Sequence, residues 1–176
     1  MCHVLLDRLQ LARTLDRIAH QIAERNPAGI HVALIGVQRG GCHLSQRLAQ
    51  ILERIWGHPV SQGVLDVSMH RDDLNDRGTL VMRPTRISFD LDGKTVVLVD
   101  DVLFTGRTTR AALDALNDYG RPCAVQLAVL VDRGHRELPI QADFVGTQTR
   151  TTLDQRVDVQ WKEDGGEDRV VLEQTP

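Results

Sequence analysis

The chain has 176 residues, a formal net charge of -3 and a sequence pI near 6.1, with 41% hydrophobic and 26% charged residues. Those values fit one soluble globular domain with a sizeable core. They exclude a globally basic nucleic-acid binder, and no stretch approaches the ~20 apolar residues that cross a bilayer.

From the N-terminus, Leu5 to Asn26 predicts an amphipathic helix. Leu5, Leu9, Ala12, Leu15, Ala19 and Ile22 recur at three- and four-residue spacing, and Asn26-Pro27 with Gly29 ends the run. "IHVALIG" (Ile30 to Gly36) reads as a strand, "VQRGG" as a turn, and Cys42 to Gly57 as a second helix. "VSQGVLDVSMH" (Val60 to His70) alternates as a strand. Arg71 to Gly93 is polar and irregular, and loops of that length are uncommon and often functional lids. "KTVVLVD" is a strand, Arg107 to Gly120 a helix with Gly120 as its C-terminal cap, and "CAVQLAVLVD" another apolar strand. "RGHRELPI" is a loop, "ADFVG" a short strand, and "RVDVQW" and "DRVVLE" a terminal strand pair around "EDGGE". Strands apolar nearly throughout, alternating with helices, predict an α/β fold with a parallel sheet covered on both faces. In such sheets ligands sit at the carboxyl ends of the strands. The three cysteines, Cys2, Cys42 and Cys123, form no CxxC pair. With no apolar leader at the N-terminus, they predict reduced thiols in a cytoplasmic protein.

The most informative stretch is "VVLVDDVLFTGRTT", Val96 to Thr109. An apolar strand carries Asp100 and Asp101 to the sheet's carboxyl edge, and a small, hydroxyl-rich turn then opens a helix. Backbone N–H groups with the Thr105, Thr108 and Thr109 hydroxyls can cradle a phosphate there. Carboxylates suit a pair of ribose hydroxyls or a hydrated magnesium ion. Diol acceptors followed by a phosphate cup describe a ribose 5-phosphate site, which goes beyond the bland reading of an N-capping aspartate with a solvated neighbour. "VQRGG" permits close backbone approach to an anion, with Arg39 adding charge, and equally fits a plain strand-to-helix turn. It is not a GxGxxG fingerprint. "RDDL" at Arg71 is either a lid closing over a leaving group or an exposed charged loop. Arg133 and His135 in "DRGHRE" fit base contacts or an ordinary surface loop. Arg17, His20 and Arg25 on the first helix fit a solvated face.

The thirteen residues VVLVDDVLFTGRT resemble the phosphoribosyl-pyrophosphate signature of the type I phosphoribosyltransferases. With "LDRIAHQIAERN", "RDDL" and "RPCAVQLAVLVDRGHRELPIQADFVG", the resemblance narrows to the PyrR family, bifunctional pyrimidine operon regulators and uracil phosphoribosyltransferases, and covers nearly the whole chain. It implies a type I phosphoribosyltransferase fold, with a lid at about 71–93 and a small hood drawn mainly from about 143–176. It implies that Asp100 and Asp101 hold the ribose hydroxyls and, through substrate or water, magnesium. Thr105, Gly106, Arg107, Thr108 and Thr109 would hold the 5-phosphate, and Gln38, Arg39 and Gly40 the pyrophosphate. Arg71 and Asp72 would act in the catalytic lid, while Arg133, His135 and Val157 would meet the base. Arg17, His20 and Arg25 would belong to a surface that binds pyrimidine-operon messenger RNA. The implied activity converts uracil and phosphoribosyl pyrophosphate to UMP and pyrophosphate, with UMP-dependent regulation of pyrimidine genes, in a homodimer or homotetramer. The alternatives are a non-enzymatic nucleotide-sensing regulator and a transferase for another base. The chain departs from the family at Gln38, where a threonine is frequent, and between Leu74 and Pro84, which keeps only Arg77 and Arg83 as cations. Asp16, Gln141 and Thr147 stand where neutral or basic groups are frequent, and each lost cation weakens RNA affinity.

Overall fold

Val96 and Leu98 are buried on one face of the strand that carries them, and Val97 and Val99 on the other. A strand apolar on both faces needs cover on both sides, and that requirement shapes the molecule. The computed structural model describes residues 3–68 and 84–174. Its elements are β1 (His3–Leu6), α1 (Arg8–Arg25), β2 (Val32–Val37), α2 (Gly41–Trp56), β3 (Ser61–Leu65), β4 (Thr95–Leu103), α3 (Arg107–Leu116), β5 (Ala124–Asp132), β6 (Phe144–Gln148), β7 (Gln155–Gln160) and β8 (Arg169–Gln174).

Five strands form a parallel sheet in the order β3-β2-β4-β5-β6. On one face α1 and α2 bury Leu11, Ile18, Ile22, Leu44 and Leu48 against Leu34, Val97 and Val99. On the other, α3 buries Ala111, Ala112, Ala115 and Leu116 against Ile35, Leu98 and Val129. A second, antiparallel sheet runs β1-β8-β7. Its Val157, Trp161 and Val170 join the α1–α2 core, which seats this small sheet beside the carboxyl ends of β2 and β4.

The expected architecture holds, with corrections at element ends. Helix α1 begins at Arg8, not Leu5. Asp7 caps it in a capping box with Gln10, each side chain bonding the other's backbone N–H, and Leu5 and Leu6 belong to a strand paired with β8. Helix α3 ends at Leu116 with Asn117 as C-cap, so Gly120 does not cap it. Gly120 instead takes φ 136° where the chain runs against Leu91 and Asp92. β3 stops at Leu65, short of His70, because Asp66 turns the chain by accepting from the Ser68 backbone N–H and hydroxyl. β4 does not stop at the aspartates but continues to Leu103, pairing with β5. Of the expected lid, residues 71–83 lie outside the described residues. The part from 84 onward returns to the body through a bridge between Arg86 and Val64 and through Ile87, Phe89 and Leu91, which pack on the α3-side core.

Candidate active site

The longest strand supplies the centre. Because β4 outruns β2 in the register, Asp100 and Asp101 stand beyond the last β2 pairing, Gly36 with Val99. Asp100 is 8% exposed and lines a cavity of about 300 Å³ with Phe104, Thr105, Gly106, Arg107, Thr108 and Thr109. Asp101 is pressed against the loop before α2: a Cβ at Gly40 would overlap the Asp101 carboxylate, and one at Gly41 would overlap the Val99 carbonyl. Only glycine lets this loop approach so closely. Asp100 Oδ1 accepts from the Asp101 N–H at 3.0 Å, and Asp101 Oδ1 from the Val102 N–H at 2.8 Å. Burial pushes the Asp101 carboxyl above its ordinary range, against the hydrogen bonds that favour its charged form, and the Asp158 carboxylate of β7 pushes the same way.

The turn behind the aspartates is the segment expected from the sequence to hold a phosphate. Gly106 takes φ 92° at the start of α3, the Arg107 N–H reaches the Thr105 hydroxyl at 3.4 Å, and the run from Thr105 to Thr109 lines the cavity at the helix N-terminus. Thr109 is buried in the helix but still lines the cavity. Glu137, not anticipated from the sequence, lines it too and accepts from Arg107 Nε at 2.7 Å.

The opposite wall is the loop after β5. Arg133 is 7% exposed, stacks its guanidinium 4.0 Å over the Phe104 ring, and donates to the Thr151 hydroxyl at 3.0 Å and the Thr152 carbonyl at 3.1 Å. Burial lowers its pKa. His135 sits in the left-handed region (φ 59°), held there by Nε2, which donates to the Thr151 carbonyl at 2.7 Å, and by an edge-on contact with Phe104. Arg136, also unforeseen, fastens the loop to the carbonyls of Phe104, Gly134 and Ile140 and to Asp132.

The structure thus gathers Asp100, Asp101, Gly40, Thr105, Gly106, Arg107, Thr108 and Thr109 at one sheet edge, with Arg133 and His135 alongside. The Gln38–Arg39 peptide is cis, and Gln38 donates from Nε2 to the Pro84 carbonyl at 3.3 Å, at the foot of the segment that carries Arg71 and Asp72. Arg71 and Asp72 themselves, with Arg77 and Arg83, lie outside the described residues. Val157 points its side chain into the apolar core, leaving its backbone, on the free edge of the small sheet, as the part able to meet a base. Asp158, which flanks it, is the β7 residue whose charge reaches Asp101. Period-2 alternation of "RVDVQ" was the available signal. The first-helix cations are engaged within the fold: Arg17 donates to the Val145 and Gly146 carbonyls, Arg25 pairs with Asp143 at 2.7 Å, and His20 meets the Asp16 carbonyl. No helix among the described residues is long and apolar enough to cross a membrane.

Comparison with known proteins agrees with this geometry. A family profile described as "Phosphoribosyl transferase domain" matches residues 4–164. A "Bifunctional protein PyrR" of Roseiflexus sp. is 54% identical over 173 residues, covering 97% of this chain and 94% of that protein. The "Bifunctional protein PyrR" of Thermus aquaticus is 52% identical over 169 residues, covering 96% and 93%. Among solved structures, the hypoxanthine phosphoribosyltransferase of Trypanosoma cruzi superposes with a TM-score of 0.74 over 98% of this chain and 97% of its own, at 17% identity, a likeness of fold.

Proposed function

Because the chain belongs to the PyrR family of phosphoribosyltransferases, we propose that its cleft transfers the phosphoribosyl group of phosphoribosyl pyrophosphate to uracil, releasing pyrophosphate and forming UMP. The observation that carries this reading is the meeting of Asp100, Asp101, the Gly40 loop and the Thr105–Thr109 cup at one sheet edge. The cup takes the 5-phosphate on the N–H groups of α3 and the threonine hydroxyls. Asp100 and Asp101 accept from the ribose hydroxyls and lie beside the carbon on which positive charge develops, where fixed negative charge lowers the barrier. The glycine loop receives the pyrophosphate. Arg71 and Asp72 are proposed to close over it and exclude water.

A divalent cation fits this donor set. Asp101 is half-buried, its pKa is raised by desolvation and by the Asp158 charge, and a cation there relieves both. Among the described residues no cluster of three metal-ligating side chains forms. Magnesium held near Asp100 and Asp101 would therefore complete its shell with substrate oxygens and water, and when bound it would neutralise the leaving group. The base is proposed to lie between Arg133, His135 and the free backbone edge of β7 near Val157. Little proton transfer is needed, so positioning and electrostatics dominate. The test is conversion of radiolabelled uracil to UMP with phosphoribosyl pyrophosphate and magnesium. Product formation that Asp101→Asn leaves undiminished, or no UMP from the wild type, sinks the reading.

The relatives' printed name, "Bifunctional protein", supports a second role, UMP-dependent control of pyrimidine genes through leader RNA. Arg17, His20 and Arg25 are the first-helix groups proposed for that role, and the Arg25 side chain stays 54% exposed beside Asp143. A gel-shift titration of leader RNA with and without UMP tests it, and no shift at moderate salt removes it.

A further inference from the structure

A cavity suited to phosphate has a carboxylate in its wall. Glu137 lines the space in front of α3, and its Oε2 takes the Arg107 Nε–H at 2.7 Å. The side chains are 41% and 51% exposed, so the pair adds little to folding, about 0–1 kcal/mol. Its effect on an arriving anion is larger, because phosphate brings nearly two negative charges into a space of about 300 Å³ already lined by the Glu137 and Asp100 carboxylates. At that separation ionic screening is incomplete.

The pair also joins the cleft's two walls. The Glu137 and Leu138 N–H groups donate to the Thr105 carbonyl at 3.0 and 3.3 Å. Ile140 packs where a Gly106 side chain would stand. The loop carrying Glu137 also carries Arg133 and His135, which face the other ligand position.

We infer that Glu137 sets the affinity of the cup: it holds the Arg107 guanidinium that the ligand's 5-phosphate must take over, and so weakens binding of phosphorylated ligands without touching the base. The inference rests on the ribose-phosphate reading of the cup. It makes Glu137 a specificity-setting residue that favours release of the phosphorylated product and places nucleotide sensing in a higher concentration range.

The test is calorimetric titration of UMP and of uridine into wild type, Glu137→Gln, Arg107→Gln and the double variant at low ionic strength. Glu137→Gln is expected to bind UMP about three- to tenfold tighter, with uridine unchanged and the gain shrinking as salt rises. In the Arg107→Gln background the gain should fall below about twofold, because the contested partner is gone. Equal or weaker UMP binding by Glu137→Gln, the same gain for uridine, or the full gain without Arg107 overturns the inference. If the wild type binds no UMP, the ribose-phosphate reading itself fails, which is a separate outcome.

Discussion

The two walls of the cleft are held by different forces. The β4 wall is built by main-chain pairing: Asp100 and Asp101 ride a strand paired with β5 through Leu103 and rooted in a core of fully buried Val96, Val97, Leu98 and Val99. The other wall, and the small sheet behind it, is fastened at its rim by guanidinium groups. Arg133 reaches Thr151 and Thr152, Arg136 spans three carbonyls and Asp132, and Arg47 stacks 4.6 Å over Trp161 while pairing with Glu163 and Asp168. Arginine suits this task because its planar fork satisfies several carbonyls from one side chain and stays charged when partly buried. The difference teaches where chemistry and stability separate. On the proposed reading, a change to Asp100 or Asp101 on the first wall alters the reaction and spares the fold. On the second wall one substitution can release a loop.

The largest expected effect tests that separation directly. Asp101→Asn should lower turnover by about 10²–10³-fold while leaving the melting temperature unchanged or higher, since a carboxylate whose pKa desolvation raises is a liability to folding. A marked loss of melting temperature would break the comparison. Next, Arg136→Met should cost about 2–4 kcal/mol in chemical denaturation and weaken UMP binding, because the Phe104, Gly134 and Ile140 carbonyls and Asp132 lose their shared partner. A variant as stable as wild type would show that the loop is held by its backbone after all.

Arg47→Met should cost about 2 kcal/mol, removing the guanidinium from over Trp161 and stranding two carboxylates. This pair also gives the wall an acid sensitivity. Hydrogen bonds from Arg47 hold the Asp168 and Glu163 carboxyls below their ordinary range. Their contribution is complete above that range and lost as pH falls through the depressed values. Denaturation midpoints followed from neutral pH downward should fall more steeply for wild type than for Arg47→Met. The smallest effect belongs to Arg25→Ala. Its bond to Asp143 is half solvated, so the change should stay within about 1 kcal/mol. A larger loss would mean that peripheral arginines carry more of the second wall than their exposure allows.

Much of the first wall was legible in the chain, and much of the second was not. Val96–Val99 announces a covered parallel strand because both of its faces are apolar, and Asp100-Asp101 followed by TGRTT places acceptors and N–H donors within one local segment. The same locality explains the misreadings. Leu5 fits the helical stripe of α1, yet lies in β1, whose Val4 and Leu6 pair with β8 more than 160 residues away in sequence. Gly120 has the chemistry of a helix cap, yet is needed where the chain passes Leu91. The bonds of Arg17 to the Val145 and Gly146 carbonyls and of Arg25 to Asp143 likewise leave no trace in the helical pattern.

By itself, the sequence determined the α/β fold class and the phosphoribosyl chemistry, because periodicity and a contiguous signature are properties of neighbouring residues. Only the tertiary structure decided that Glu137 lines the cavity before α3, that the Asp158 charge reaches Asp101, and that Arg133 and Arg136 reach across to the Thr152 and Phe104 carbonyls. Each of those depends on which loops the sheet brings together at its carboxyl edge, and long-range hydrogen bonds between single side chains and backbone leave no period in the chain.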